Sequence, residues 1–187
     1  MKKAAVLFFV LTAAAAALWL CLDRSSSGLS RRQQTLLQQP ALPPATKIAR
    51  LVVRKSAHEM DAYDASGRLL KTYPVALGRQ PVGHKQFEGD GKTPEGRYTI
   101  DSRNAQSGYH KNLGISYPNR ADRARAAAAG KSPGGDIKIH GLKNGLGQIG
   151  AQHLRFDWTE GCIAVTDREI DELYALVQPH APIDILP

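Results

Sequence analysis

The chain has few cysteines and few aromatic residues. Only Cys21 and Cys162 occur among its 187 residues, and Phe, Trp and Tyr together make up 6%. There is no zinc-finger spacing, and the aromatic residues do not interleave with basic ones, so nothing predicts a nucleic-acid partner. A phosphate-binding Gly-Lys-Ser/Thr loop is also missing. Against this background Cys162 stands out, because it has no cysteine to pair with outside the N-terminal region.

The N-terminal region contains a long apolar run. After Met1-Lys2-Lys3, residues 4–22 hold no charged side chain over 19 positions. At about 1.5 Å per residue, such a helix spans roughly 28 Å, close to the hydrocarbon thickness of a bilayer. Bulky side chains at residues 18–22 disfavour signal-peptide cleavage there, whereas cleavage within the alanine stretch stays open. We therefore predict a transmembrane helix at residues 1–22 with the rest of the chain outside the cytoplasmic membrane, or a secreted protein if this segment is cleaved.

The remainder divides into a linker and one domain. Residues 23–46 are rich in Ser, Gln and Pro, which is typical of a flexible linker, although residues 29–39 fit a short helix equally well. Residues 47–187 suffice for one domain with its own core. Their 20 Lys/Arg and 16 Asp/Glu leave a net charge of +4. This charge favours an anionic partner such as a cell-wall polymer, but most of it is expected to form a solvated surface.

The domain is predicted to be mainly β with a few short helices. The strands follow from alternating or short apolar runs, and Ala65-Ser66-Gly67 is typical of a hairpin turn. The predicted strands lie near residues 48–53, 58–63, 69–77, 97–100, 137–140 and 182–186.

Two helices are predicted within the domain. Residues 121–129 are strong helix formers followed by Gly130, which favours a helix end. Thr166 and Glu169 fit a capping box that starts a second helix, and Pro179 stops it. Its apolar residues recur at helical spacing and predict one buried face, formed by Ile170, Leu173, Tyr174 and Val177.

Two short motifs contain groups suited to covalent acyl transfer. In Ile137-Lys138-Ile139-His140, the period of two places the isoleucines on one face of a strand and Lys138 and His140 on the other. Gly161 precedes Cys162 and permits unusual backbone angles, so nearby N–H groups are suited to an oxyanion hole. A thiol with an imidazole is the minimum for a cysteine nucleophile and its base. Taken singly, a surface histidine and an inert buried cysteine explain the motifs at least as well.

Taken together, the motifs resemble those of the YkuD family of L,D-transpeptidases. The family is marked by His-Gly followed by Ser/Thr-x-Gly-Cys, and here these are His140-Gly141 and Thr159-Glu160-Gly161-Cys162. The resemblance covers nearly all of residues 47–187, including Gly-Asp-Gly-Lys-Thr-Pro-Glu-Gly at residues 89–96. It implies a β-sandwich-like catalytic domain that acts on peptidoglycan stem peptides and uses neither cofactor nor metal.

The resemblance also implies roles for individual residues. Cys162 would be the nucleophile and His140 the proton donor and acceptor, with the backbone carbonyl of Gly141 orienting the imidazole. Thr159 and Gly161 would shape the substrate groove. The expected reaction forms a thioester with a tetrapeptide stem and passes it to an amine, on the wall or on an envelope protein.

Three further residues have open interpretations. His153 is a rival base nine positions before Cys162, although His140 is favoured. Tyr117 is a candidate for lining the groove, but it fits a structural turn equally well. Arg97 is a candidate for binding a substrate carboxylate, an arrangement for which guanidinium is suited.

The chain departs from the commoner family pattern on either side of the cysteine. Glu160 stands where many members have His, and Ala164 stands where many have Arg. A family subset shares Gly-Cys-Ile-Ala with this chain, and hydrolysis is implied for some of its members. An L,D-carboxypeptidase, an amidase that frees a wall-bound protein, and a catalytically silent wall-binding module therefore remain alternatives to a transpeptidase.

Overall fold

The secondary structure is mainly β with three short α-helices in residues 28–187, which the computed structural model describes. This confirms the predicted class. The strands are β1 (Arg50–Arg54), β2 (Glu59–Tyr63), β3 (Leu69–Pro74), β4 (Gly96–Ser107), β5 (His110–Ile115), β6 (Lys138–His140), β7 (Ile163–Ala164) and β8 (Pro182–Leu186). The helices are α1 (Arg31–Leu37), α2 (Arg120–Ala128) and α3 (Asp167–Leu176), and 3-10 turns occupy Lys55–Ala57 and Gly147–Arg155.

The strands form one curled sheet in the order β3-β2-β1-β8-β4-β5-β6-β7. The pairs β1–β8 and β6–β7 are parallel and the others antiparallel. The two ends of the sheet meet, because Ala76, just after β3, exchanges hydrogen bonds with Ala164 of β7 at 2.9 and 2.8 Å. The expected sandwich-like packing is thus one sheet bent into a half-barrel, since β8, β4 and β5 continue the ladder without a break.

The concave side of the sheet encloses the main core, and α3 covers it. Fully buried members include Leu51, Met60, Tyr73, Ile139 and Ile183. The helix contributes its predicted apolar positions, of which Ile170 and Leu173 are fully buried, Val177 is buried and Tyr174 is partly buried.

Local signals placed α3 and α2 correctly. The capping box of α3 is present: Thr166 Oγ1 accepts from the N–H of Glu169, whose carboxylate accepts from the N–H of Thr166. The helix α2 begins one residue before the predicted start, because Asn119 caps it.

The hairpin of β4 and β5 is longer than predicted, since only residues 97–100 were expected to form a strand there. Residues 101–106 are exposed and, apart from Ala105, polar, so they show no alternation, and their strand follows from the β-ladder with β5.

Residues 28–46, within the predicted flexible linker, pack on the domain. Leu36 of α1 is buried, the Arg32 guanidinium pairs with Glu59 at 2.7 Å, and Gln33 Nε2 donates to the Leu154 carbonyl at 3.0 Å. Further along, the N–H of Leu42 donates to Glu172 at 2.8 Å. Composition alone did not reveal this docking, because a few side chains with partners on the domain provide it. The proposed domain boundaries stay a prediction.

The predicted transmembrane helix at residues 1–22 lies outside the described residues. Within residues 28–187, no helix is both long and apolar enough to cross a membrane.

Candidate active site

The parallel pairing of β6 with β7 brings His140 and Cys162 to one groove. In this pairing Ile139 lies beside Ile163 and His140 beside Ala164. Continuing the same register by one residue puts Cys162, which immediately precedes β7, beside Lys138. The side chains of His140 and Cys162 line a groove of about 470 Å³. The structure thus juxtaposes two residues that are 22 positions apart in the sequence.

Strand β6 presents its residues as the period of two predicts. Ile137 and Ile139 are buried in the main core, whereas Lys138 and His140 line the groove on the opposite face. The His140 side chain is nonetheless well covered, since the residue is only 5% exposed. The imidazole is therefore largely covered by protein, and its remaining exposed part faces the groove.

The backbone carbonyl of Gly141 sets the tautomer of His140. His140 Nδ1 lies 2.7 Å from that oxygen, and a carbonyl can only accept, so Nδ1 carries the hydrogen. In the neutral ring, Nε2 is then the basic nitrogen. Burial lowers the pKa of His140 below its ordinary value, and the charge of Lys138 lowers it further, against the opposing effect of the Gly141 hydrogen bond. The imidazole is therefore a neutral base at neutral pH.

Thr159 and Gly161 form the turn that holds Cys162. Thr159 Oγ1 donates to the carbonyl of Cys162 at 2.7 Å and accepts from the N–H of Gly161 at 3.1 Å. Gly161 has φ +131°, and a Cβ there would lie 2.6 Å from the carbonyl oxygen of Lys92. Only glycine fits this turn, because both its backbone angle and its contact exclude a side chain. Lys92 belongs to the glycine-rich segment at residues 89–96, which therefore lies against this turn.

The thiol of Cys162 is half-buried and rests against the backbone of β6. Its Sγ lies 3.6 Å from the carbonyl oxygen of Asp136. Burial raises the pKa of the thiol, while the N–H of Lys138, which stabilises a thiolate, and the Lys138 charge act in the opposite direction. Burial thus favours the neutral form of both Cys162 and His140.

Aromatic rings separate this groove from a second one. The Tyr109 ring lies 4.7 Å from that of His140 and 6.3 Å from that of Trp158, with which it stacks. Trp158 is half-buried: it lines the groove and also packs against the small core cluster of Ala76, Leu154 and Ala164. His153 lies on the other side of Trp158, with ring centroids 6.1 Å apart, and lines a separate apolar groove.

The two remaining candidates lie away from the thiol. Arg97, the second residue of β4, pairs through Nε with Asp184 of β8 at 2.8 Å and does not line the groove. Tyr117 is buried in the main core, and its hydroxyl donates to the carbonyl of Pro133 at 2.9 Å. Tyr117 therefore has a structural role rather than a place in the groove. The guanidinium of Arg97 is already paired with the carboxylate of Asp184.

The two positions that depart from the family pattern have different environments. Glu160 is exposed at the rim of the groove and forms an ion pair with Arg79. Ala164 is fully buried in β7 and packs with Ala76 and Leu154. An arginine at residue 164 would need room that these neighbours fill.

Sequence reasoning missed the groove residues that come from β5 and its preceding turn. Asn112 lies beside His140 in the β5–β6 ladder and lines the groove, as do Ser107 and Tyr109. Strand β5 was not predicted, so no sequence signal pointed to Asn112. For Asp136 and Lys138 there was a signal: they precede His140 by four and two positions, so the period of two along a strand places them on the same side as His140. Within residues 28–187, no three His, Cys, Asp or Glu side chains form a group that could hold a metal ion.

Comparison with known proteins assigns the domain. The L,D-transpeptidase catalytic domain model (YkuD) matches residues 48–185. "Putative L,D-transpeptidase YafK" of Escherichia coli (strain K12) is 29% identical over 145 residues, which cover 71% of this chain and 51% of that protein. The chain thus spans about half the length of the curated relative that it matches.

Solved structures share the fold. The helical cell shape determining protein Pgp2 from Campylobacter jejuni superposes with a TM-score of 0.57 at 26% identity, covering 75% of this chain and 48% of that one. Bd1075 of Bdellovibrio bacteriovorus superposes with a TM-score of 0.53 at 23% identity, covering 79% of this chain and 51% of that one, and supports the fold alone. With a family model that matches most of its length, the chain belongs to the L,D-transpeptidase catalytic domain family.

Proposed function

We propose that this protein is a peptidoglycan L,D-transpeptidase with Cys162 as nucleophile and His140 as general base. The observation that carries the proposal is the juxtaposition of the two side chains in one groove by the β6–β7 pairing. The Gly141 carbonyl supports it further, because it leaves Nε2 as the basic nitrogen of His140.

The substrate proposed is a tetrapeptide stem whose third residue is a diamino acid. His140 Nε2 takes the thiol proton as Sγ bonds to the carbonyl carbon of that residue, and the backbone N–H of Cys162 stabilises the resulting oxyanion. The C–N bond to the terminal D-alanine then breaks, and His140 returns the proton to the departing amine. An incoming amine loses a proton to His140, forms the new amide and releases the Cys162 thiol.

The proposed location is the outer side of the cytoplasmic membrane. The uncharged run at residues 4–22 after two lysines supports an anchor of that orientation. A basic domain on that side would be attracted to the anionic polymers of a cell wall.

A tetrapeptide muropeptide incubated with the full-length protein and an amine acceptor tests the proposal. We expect loss of D-alanine, a protein mass increased by the tripeptide acyl group, and an amide product with the acceptor. Cys162→Ala should abolish the acyl adduct, whereas the matched variant Cys21→Ala, which removes the other cysteine, should retain it.

The products distinguish the rival functions. Free tripeptide without amide product would identify a hydrolase of the same fold, with water as acceptor. An unchanged muropeptide and an unmodified protein would contradict catalysis and favour a wall-binding module.

A further inference from the structure

The apolar groove on the far side of Trp158 exposes large apolar side chains. Leu146, Ile149 and Phe156 line it and are 41%, 39% and 65% exposed. All three belong to the 3-10 turn Gly147–Arg155 or to the residues that flank it. Apolar side chains exposed singly are common on protein surfaces, but a contiguous group that lines one groove marks an interaction surface.

The charges that line this groove are positive. Lys143 and Arg155 line it, and no Asp or Glu of residues 28–187 does. The Arg155 guanidinium lies 5.4 Å from the centre of the Phe156 ring, so a cation accompanies the most exposed apolar side chain of the groove. An apolar surface edged by cations matches the boundary between the acyl chains and the anionic headgroups of a bilayer.

The N-terminal end of the described chain lies beside the same groove. A side chain at Gly28 would meet the Arg155 guanidinium, and both residues line a neighbouring pocket together with Phe156. Leu29 packs against the small core cluster that contains Leu154, and the contacts of α1 then hold this end on the domain. The position of Gly28 relative to the apolar groove is therefore fixed.

Five residues separate Gly28 from the apolar run at residues 4–22. Between Leu22 and Gly28, a fully extended chain reaches at most about 22 Å. With the run in the membrane, as in the proposed location, the part of the domain that carries Gly28 and Phe156 lies within this distance of the bilayer. The short connection therefore favours the membrane itself, over a protein partner, as the surface that the groove meets.

We infer that the apolar side chains of this groove enter the headgroup region of the anchoring bilayer, while Lys143 and Arg155 bind its anionic headgroups. This membrane-docking face rests on the proposed location and goes beyond the proposed reaction. Tyr109 and Trp158 line both this groove and the groove of Cys162. The docked domain therefore holds its catalytic groove next to the membrane surface.

Quenching of a fluorescent label by lipid tests the docking face in the full-length protein. Both natural cysteines are replaced (Cys21→Ala, Cys162→Ala), and a bimane label is attached at Gln152→Cys, an exposed position in the groove that leaves its apolar side chains intact. The protein is placed in nanodiscs of phosphatidylglycerol and phosphatidylcholine, with or without a nitroxide on the upper acyl chain. We expect the nitroxide to reduce the fluorescence by about half, because side chains of a docked face lie about 5–10 Å into the headgroup and acyl boundary.

Two changes should remove this quenching. The double variant Ile149→Ser, Phe156→Ser lacks the inserted side chains, and nanodiscs of phosphatidylcholine alone lack the anionic partner of Lys143 and Arg155. Each change should reduce the quenching to less than about a third of its original value, since docking of this kind needs both apolar insertion and charge attraction. Both serines replace exposed side chains, so the fold is retained, and urea denaturation verifies this.

A label at Ala65→Cys is the matched control. Ala65 is exposed in the turn between β2 and β3. Arg32 of α1 pairs with Glu59, which lies at the opposite end of β2 from this turn. The nitroxide lipid should leave the fluorescence of the control label unchanged.

The outcomes separate the docking face from the anchor and from the reaction. Protein that stays with the nanodiscs without quenching at residue 152, or with equal quenching at residues 152 and 65, would overturn the docking face and retain the anchor. Quenching between the labels of two copies, in place of quenching by lipid, would identify a second copy as the occupant and overturn it as well. Protein that elutes apart from the nanodiscs would overturn both the anchor and the docking face. Turnover of the muropeptide is measured separately, so failure of the proposed reaction is distinguishable from each of these results.

Discussion

Two histidines flank Trp158, and their surroundings differ. The ring centroid of His140 lies 5.7 Å from that of Trp158 on one side, and that of His153 lies 6.1 Å away on the other. His140 has a backbone acceptor for Nδ1 and shares its groove with a thiol. Trp158 Nε1 donates to Nδ1 of His153 at 3.3 Å, and the buried Nε2 of His153 has no hydrogen-bond partner among residues 28–187. Burial is common to both, so burial alone does not make a histidine a base; the thiol in the same groove distinguishes His140.

The grooves around the two histidines differ in the polarity of the side chains that line them. The groove of His140 is lined mainly by residues with polar side chains, together with Tyr109 and Trp158, and contains the Lys138–Asp136 pair. The groove of His153, of about 450 Å³, is lined mainly by apolar side chains, with Leu146, Ile149 and Phe156 exposed. An apolar environment disfavours the charged form, and burial lowers the pKa of His153 to about 4.

Replacing each histidine by alanine is the strongest test of this contrast. His140→Ala should reduce kcat/KM for D-alanine release about 10²- to 10⁴-fold, the usual contribution of a general base. His153→Ala should change it less than about threefold, because its ring lies outside the groove of Cys162. Steady-state kinetics on a tetrapeptide muropeptide measure both. A large loss in His153→Ala with activity retained in His140→Ala would transfer the role of base to His153.

Replacing one glycine near each histidine by alanine compares how strictly the backbone is constrained in the Cys162 turn and in the segment that carries His153. Gly161→Ala should cost about 3 kcal/mol or more in the free energy of unfolding, since it combines φ +131° with a contact 2.6 Å from the Lys92 carbonyl. Gly150→Ala, on the side of His153, also has a positive φ of +52° but meets no atom within 4 Å, and should cost about 1–3 kcal/mol. Urea denaturation measures the stabilities.

Activity per folded molecule should also separate these variants. Gly161→Ala displaces the turn that carries Cys162 and should lose activity, whereas Gly150→Ala should retain it. Equal activity of the two folded variants would contradict the role of the Gly161 turn.

The pH dependence of stability reports on His153. Its folded pKa of about 4 lies below the unfolded value of about 6.5, so the unfolded chain binds more protons between these values and stability falls as pH falls through this window. Between pH 7 and pH 5, His153 should account for a loss of about 2 kcal/mol in the free energy of unfolding. His153→Leu should remove that part of the loss, as measured by urea denaturation at both pH values. Identical pH dependence in the variant would show that the site is not desolvated as described.

Sequence reasoning succeeded where neighbours along the chain decide the structure. The capping box of Thr166 and Glu169 and the alternation in β6 depend on residues two to four positions apart, and both are present. It fell short for β5, whose residues lack a local pattern, and for the docking of α1: the short helix considered at residues 29–39 is present, but its contacts with the domain were not predicted. These segments are ordered by partners far along the chain, as in the hydrogen bond from Gln33 to Leu154.

By itself, the sequence determined that the chain has a mainly β domain, a thiol without a cysteine partner in that domain, and a strand that directs His140 away from the core. Only the tertiary structure decided which histidine shares a groove with Cys162, and that Arg97 and Tyr117 lie elsewhere. The reason is the closure of the sheet. The β6–β7 pairing and the contact of Ala76 with Ala164 join segments that are distant in sequence, and no local pattern specifies such pairings.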